Sequence, residues 1–202
     1  MRLRDGSLAV TWALLPSDRE GLSWEYDRLS PESQQHRFLA PVPHLTEAML
    51  DRLVDEVDGV DHVALVLFVL DDEHVGRPAG VARMIRYADA PDAADVAVTV
   101  ADRFQGRGVA SALLDELLRQ RPRGVTRIET EVAADNPASL AMLRRLGPTT
   151  VERDGGNLLT ITVELPPAPE PPEPREPPEP PASPDDRRPS PKSLRDARPS
   201  GS

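Results

Sequence analysis

Apolar positions along the chain alternate between a period of two and a helical period, and the switches divide it into elements. Residues 7–15 read as a first strand and residues 19–29 as a helix. Ser30-Pro31-Glu32 is a helix-start signal, with serine as N-cap and proline at the first helical position. Thr46 opens a second clear helix that places Met49, Leu50, Leu53, Val54 and Val57 on one face. Residues 62–70 are apolar and β-branched throughout, as in a buried strand. Strands follow at 80–86 and 95–101, joined by a loop at 88–94. Residues 109–120 return to helical spacing, with Ala110, Leu113, Leu114, Leu117 and Leu118 facing inward. Residues 125–132 form a strand and 136–146 a short helix; 149–152 and 158–165 pair around the turn Asp154-Gly155-Gly156-Asn157. The predicted order is β, α, α, three strands, α, β, α, β, β. Three strands with short links imply an antiparallel meander, and the later β–α–β step implies a parallel crossover. The fold class is therefore α/β with a mixed sheet.

The pattern stops at Pro166. Residues 166–202 carry Glu170-Pro171-Pro172-Glu173-Pro174-Arg175 and then Glu176-Pro177-Pro178-Glu179-Pro180-Pro181, with almost nothing apolar after them. Proline this dense blocks helix and sheet and favours extended polyproline II, so the expectation is one ordered domain at 1–165 and a disordered tail. Pro-x-x-Pro spacings such as Pro174 to Pro177 offer a tail-binding protein an SH3-like docking site. A solubilising linker explains such spacings more simply, since any proline-rich run generates them.

The 202 residues carry a net charge of −10, about −9 of it on residues 1–165. Such a domain repels nucleic acid and suits a cationic substrate or a basic protein partner. No apolar run approaches the roughly 20 residues that span a bilayer, and the N-terminal charges are not followed by the apolar core of a signal peptide. No membrane partner is expected. There is no cysteine, which removes disulfides, thiolate metal sites and a cysteine nucleophile and fits a cytoplasmic protein. His36, His44, His62 and His74 lack paired helical spacing, so no metal site is expected. Trp12 and Trp24 read as core or cleft-wall residues, and Glu47, Asp51, Asp55, Glu56, Asp58 and Asp61 as a solvated surface more than a lure for lysine.

The strongest chemical signal is Gln105-Gly106-Arg107-Gly108-Val109-Ala110-Ser111, between a strand and a helix. A glycine turn that opens a helix presents backbone N–H groups without intrahelical partners, together with the positive end of the dipole, and so suits phosphate. A P-loop would need Gly-Lys-Ser/Thr, which is absent. A dinucleotide fingerprint stays open, with Gly106, Gly108 and, at a distance, Glu129, but Ser111 stands at its third glycine.

The same segment matches Gln/Arg-x-x-Gly-x-Gly/Ala, the acyl-CoA turn of the GNAT acetyltransferase superfamily. Asn136-Pro137-Ala138-Ser139-Leu140-Ala141-Met142-Leu143-Arg144-Arg145-Leu146-Gly147 resembles that family's later segment, Asn-x-x-Ala/Ser-x-x-Leu/Met-x-x-Lys/Arg-x-Gly. Two such segments in order, with a strand between them, identify residues 7–165 as similar to the GNAT fold. Arg28-Leu29-Ser30-Pro31-Glu32-Ser33, Arg37-Phe38 and Asp61-His62-Val63-Ala64-Leu65-Val66 resemble, more loosely, the GNAT domain of bacterial protein lysine acetyltransferases. In those proteins the domain is often fused to a cyclic-nucleotide-binding or acyl-CoA-synthetase-like module, for which this chain has no room.

The resemblance implies N-acetyl transfer from acetyl-CoA, with no metal, to an acceptor amine such as a protein lysine, by direct attack in a ternary complex. The alternatives are a small-molecule amine as acceptor, or a module that binds acyl-CoA without catalysis. It implies that the N–H groups of Gly106, Arg107, Gly108, Val109, Ala110 and Ser111 hold the pyrophosphate, with Gln105 beside them and the Arg107 side chain adding charge. Val98, Thr99 and Val100 would pair with the pantetheine arm, and the Val100 N–H would face the thioester oxygen. Asn136 and Ser139 would complete the cofactor site. Asp95 stands where the related enzymes carry a glutamate base and, one methylene shorter, would act through water. The usual tyrosine acid is replaced by Leu143, which leaves the general acid unassigned.

Overall fold

A computed structural model describes residues 1–71, 73, 75–153 and 155–167. The proline tail beyond them, its docking spacings, His74 and Asp154 lie outside the described residues. Seven strands form one sheet in the order β1-β2-β3-β4-β5-β7-β6. They are β1 (Ala9–Ala13), β2 (His62–Leu70), β3 (Gly76–Arg86), β4 (Ala93–Val100), β5 (Arg127–Ala133), β6 (Thr149–Glu152) and β7 (Leu158–Glu164). Only β4 and β5 run parallel; all other neighbours are antiparallel, so the expected meander and crossover are both present. Strand β3 starts four residues earlier than its pattern suggests. Its register shifts at Leu67/Phe68, so Ala79 bulges and Pro78 fits at a bulge, where it breaks no regular ladder.

Among the described residues five helices flank the sheet: α1 (Arg19–Asp27), α2 (Pro31–Phe38), α3 (Glu47–Leu50), α4 (Val109–Arg119) and α5 (Pro137–Leu143). Three of them precede β2, one more than the pattern predicts, because the Ser30 signal starts a helix of its own. There the Ser30 hydroxyl accepts the Ser33 N–H at 3.2 Å. The helix that Thr46 caps runs for one α-turn and widens into a π-turn at Asp51–Asp55. Its apolar face survives the change: Leu50 and Val54 are buried, and Leu53 and Val57 pack beside them.

Each face of the sheet has its own core. On one, α4 brings Val109, Leu113, Leu114 and Leu117 onto Leu65, Leu67, Ala82, Met84 and Ile128, all 2 % exposed or less. Each buried leucine there contributes roughly 2 kcal/mol of transfer free energy. Val109 takes the inward place expected of Ala110, which is only half-buried. On the other face, Leu22 of α1 and Leu53 and Val57 from the π-turn and its exit pack around Leu14, Val54, Ala64 and Val66. Gly80 lets α4 lie low on the sheet: a Cβ there would sit 2.8 Å from the Thr99 carbonyl oxygen and 3.1 Å from Leu113 and Val109. Gly147 is tighter still, since its Cβ would meet the Glu164 carbonyl oxygen at 1.9 Å.

Candidate functional site

The sheet opens in its middle. Strands β4 and β5 pair only at Ala93–Arg127 and Ala94–Ile128 and then part. The Ala101 N–H donates to the Ala79 carbonyl, which fixes the alternation along β4. Residues 95, 97 and 99 therefore spend their backbone groups on β3, whereas those of Val96, Val98 and Val100 point into the opening. The Val96 carbonyl accepts the Thr130 hydroxyl at 3.3 Å. Among the described residues Val98 thus keeps an unpaired strand edge, and at Val100 the N–H is free while the carbonyl accepts the Gln105 amide at 3.5 Å, the geometry that an extended amide-bearing arm would complete. Thr99 differs from them: its backbone bonds β3 and its side chain lines a pocket under α1 and α2.

At the end of β4 a short 3-10 turn, Asp102–Phe104, leads to the glycine turn and α4. Gly106 (φ 73°) and Gly108 (φ 93°) are both left-handed, a conformation that side chains resist. Gly108 is the N-cap of α4 and has no side-chain cap. Among the described residues the N–H groups of positions 106–111 meet no acceptor in the protein. Six donors at the positive end of an eleven-residue helix form an anion cradle. Gln105 does not line it. Its amide donates to Asp102 at 2.9 Å and to Ser33 at 3.2 Å, tying the turn to α2. Asp102, which carries no sequence signal, receives the Ser30 N–H and the Ser33 hydroxyl, each at 2.7 Å. The Arg107 side chain is also committed, contrary to expectation. It pairs with Asp5, donates to the Ser7 hydroxyl at 2.7 Å and lies 5.0 Å from the Phe104 ring. The turn's charge comes from its backbone.

The opening forms a cleft of about 390 Å³, and Asp95, Val98, Asn136, Ser139 and Leu143 all line it. The Asn136 side chain accepts the Ser139 N–H at 3.1 Å and caps α5. Leu143 is 2 % exposed and part of the core, so the place of the usual tyrosine is apolar. Tyr87 and Glu131 line the same cleft and were not singled out by sequence, because loop and strand positions this far apart carry no shared spacing. The Tyr87 hydroxyl donates to the Glu129 carbonyl at 3.0 Å. Burial, then the charges of Asp95, Glu129, Glu131 and Asp89, push its pKa above the ordinary phenol value. These acids make the rim one that attracts a cation. The acids near α3 do other work: Glu47, Asp51 and Asp55 converge on Arg19, Asp58 caps three N–H groups before β2, and Asp61 pairs with Arg86.

Two expectations fail. Trp12 and Trp24 are 61 % and 57 % exposed rather than core or cleft walls. Trp12 lies on the edge strand, and Trp24 stacks under the Arg28 guanidinium at 4.4 Å.

A parallel pair that parts in mid-sheet, with a glycine-opened helix at the end of one arm, sets an extended-chain edge beside an anion cradle. The family model of the acetyltransferase (GNAT) family matches residues 25–147, and the chain belongs to that family. It is 33 % identical over 168 residues to the acetyltransferase Pat of Mycolicibacterium smegmatis, covering 83 % of this chain and 49 % of Pat. It is 32 % identical to the acetyltransferase PA5475 of Pseudomonas aeruginosa, over 57 % of this chain and 61 % of that one. The chain thus spans about half to three-fifths of the length of these curated relatives. The crystal structure of the GNAT domain of S. lividans PAT superposes with a TM-score of 0.72 at 32 % identity, covering 82 % of this chain and 95 % of that one. A spermidine N-acetyltransferase from Vibrio cholerae, solved with CoA and spermine, shares the fold at a TM-score of 0.58 and 16 % identity, over 77 % of this chain and 95 % of that one. The chain carries the GNAT fold, and the family to which it belongs draws acetyl from acetyl-CoA.

Among the described residues no group of histidines, acids or cysteines is arranged to hold a metal ion, and no helix is long and apolar enough to cross a membrane.

Proposed function

We propose that the chain acetylates lysine side chains of proteins. The observation that carries this reading is the acid-rimmed opening of β4: Asp95, Glu131 and Tyr87 stand beside the free strand edge at Val98. Likeness to Pat and to the S. lividans PAT domain supports it. In this reading the N–H groups of residues 106–111 hold the pyrophosphate, and the edges of Val98 and Val100 orient the pantetheine arm. Thr99 holds that edge from behind through β3, and Gln105 fixes the turn. The Val100 N–H takes the charge that grows on the thioester oxygen. Asn136 and Ser139 shape the far wall of the cleft.

A lysine amine is mostly protonated at neutral pH, with an unperturbed pKa of about 10.4. Asp95 removes that proton through water, since its side chain is short. The amine nitrogen then attacks the acetyl carbon; a C–N bond forms as the C–S bond breaks. Tyr87, its pKa raised by burial and then by the nearby acids, is the phenol in the cleft available to give a proton to the departing sulfur, and the second proton that the nitrogen loses on forming the amide restores the phenol. With no cysteine in the chain, an acetyl-cysteine relay has no nucleophile.

The test is CoA release from acetyl-CoA with lysine-bearing peptides or a mixed protein extract, read alongside mass spectrometry of the acceptors. Lysine acetylation is expected. Tight acetyl-CoA binding with no turnover on any protein would overturn the reading.

A further inference from the structure

A second cavity, of about 210 Å³, lies under α1 and α2 on the sheet face opposite α4. Its walls include Leu14, Leu22, Val66, Phe68 and Val81, yet two arginines also line it. Arg83, from the middle of β3, is 4 % exposed. Its Nη1 donates to the Leu53 carbonyl at 2.9 Å and to His62 Nε2 at 3.2 Å. Arg37, from α2, rests over the Phe38 ring at 4.5 Å. Among the described residues its guanidinium makes no hydrogen bond, and neither arginine forms an ion pair. Each guanidinium carries five N–H donors, so most of this set is unspent.

The local acids do not fill the gap. Glu25 gives Oε1 to Arg103 at 2.8 Å, while its Oε2 is enclosed without a partner. Asp18 accepts the Leu15 N–H at 2.8 Å. Asp95 attracts Arg37 from the cleft side without pairing with it. His62 accepts from Arg83 and, with its own pKa lowered by burial and by that arginine, brings no negative charge. Burial and then the charge of Arg37 hold Arg83 down to about 9. Asp18 and Glu25 line the same cavity but pair with neither arginine, and a buried arginine such as Arg83 without an ion pair is costly, since most buried arginines are paired.

We infer that this cavity is a binding site for a compact apolar carboxylate, its carboxylate held by Arg83 and Arg37 and its body by the apolar walls. A planar carboxylate matches the guanidinium fork, and the cavity is smaller than the roughly 300–1,000 Å³ of drug-sized sites. Arg37, Phe38 and Ala97 line both this cavity and the transfer cleft, so the ligand would lie next to the acetyl-transfer chemistry.

Calorimetric titration of the full chain with 3-phenylpropionate tests this directly, with 3-phenylpropan-1-ol as the neutral counterpart. Saturable binding of the acid, at least about tenfold tighter than the alcohol, is expected from a charge-assisted pair. Equal binding of the two, or none of either, overturns the site. Arg83→Met should abolish acid binding while leaving acetyl-CoA affinity and the melting temperature intact or raised, because a buried charge without a partner is being removed. Acid binding that survives in Arg83→Met, with a lowered melting temperature, would make Arg83 a helix-end brace only and sink the proposal. Arg37→Gln should weaken the acid on its own, and unchanged affinity there counts against the shared fork. L-Phenylalanine adds an amine to the probe. Its N-acetylation would make the cavity part of an acceptor site, and binding without acetylation a regulatory one. These readouts do not depend on protein lysine being the acceptor.

Discussion

The two sides of β4 are built from different materials. On the opening side stand backbone groups: the free edge at Val98, the Val100 N–H and the six N–H donors of residues 106–111. Toward α1 and α2 stand side chains drawn from distant parts of the chain, Arg37 from α2 and Arg83 from β3, and side chains from three further places line the cleft beside the edge: Tyr87, Asp95 and Glu131. A backbone site needs only that certain residues be small and certain turns left-handed, so many sequences can hold the same donor. A side-chain site changes with each substitution.

The contrast breaks most sharply at Gly108. Gly108→Trp places a large side chain at φ 93°, where even a Cβ would lie 3.2 Å from Arg4. Acetyl-CoA affinity should fall more than about a hundredfold, since the N–H cradle is both blocked and distorted. Equilibrium binding checks this, and retained affinity would put the donor elsewhere. Among the side chains, Asp95→Asn should lower kcat by roughly 10²–10⁴ while acetyl-CoA affinity stays put, as for loss of a general base. An unchanged kcat would remove Asp95 from the chemistry.

Gly80 tests whether the two sides are mechanically separate. Gly80→Ala forces a methyl against the Thr99 carbonyl and the start of α4. A stability loss of about 1–3 kcal/mol is expected, with weaker acetyl-CoA binding because α4 must lift. Denaturant unfolding and binding on the same samples would show it. A loss of stability without any change in affinity would mean that the cradle does not depend on how closely α4 lies on the sheet.

The same division explains what could be read from sequence. The glycine turn and the two helix starts were legible because their requirements are local: Gly106 and Gly108 at fixed spacing, then a helix, then Asn136 capping another. The sheet was legible because β2 through β5 keep one period each. Helix α2 was undercounted because its eight residues bury none fully, so only its Ser30 cap announced it. Arg37, Arg83 and Tyr87 carried no signal as a group: their proximity comes from β-register and helix packing, which no spacing records. Arg107 misled for a related reason, since its partner Asp5 lies at the far end of the sequence.

That pair gives the smallest expected effect and the clearest check on a backbone-built donor site. If the cradle rests on N–H groups, Arg107→Ala should change acetyl-CoA affinity by less than about threefold, as for an exposed charge already committed elsewhere. Asp5 is where the pairing shows. The Ser7 N–H and then Arg107 lower its pKa from 3.8 to about 2. A carboxylate depressed in the folded state adds stability that is fully present above its unfolded pKa and is lost as pH falls through the folded value. The difference in melting temperature between the parent and Asp5→Asn should therefore be constant above pH 5, shrink below about pH 4 and vanish near pH 2. A difference that persists at pH 2 would mean that Asp5 holds the N-terminal segment by something other than its charge. A large loss of acetyl-CoA affinity in Arg107→Ala would mean that the guanidinium leaves Asp5 for the phosphate, making the donor site part side chain after all.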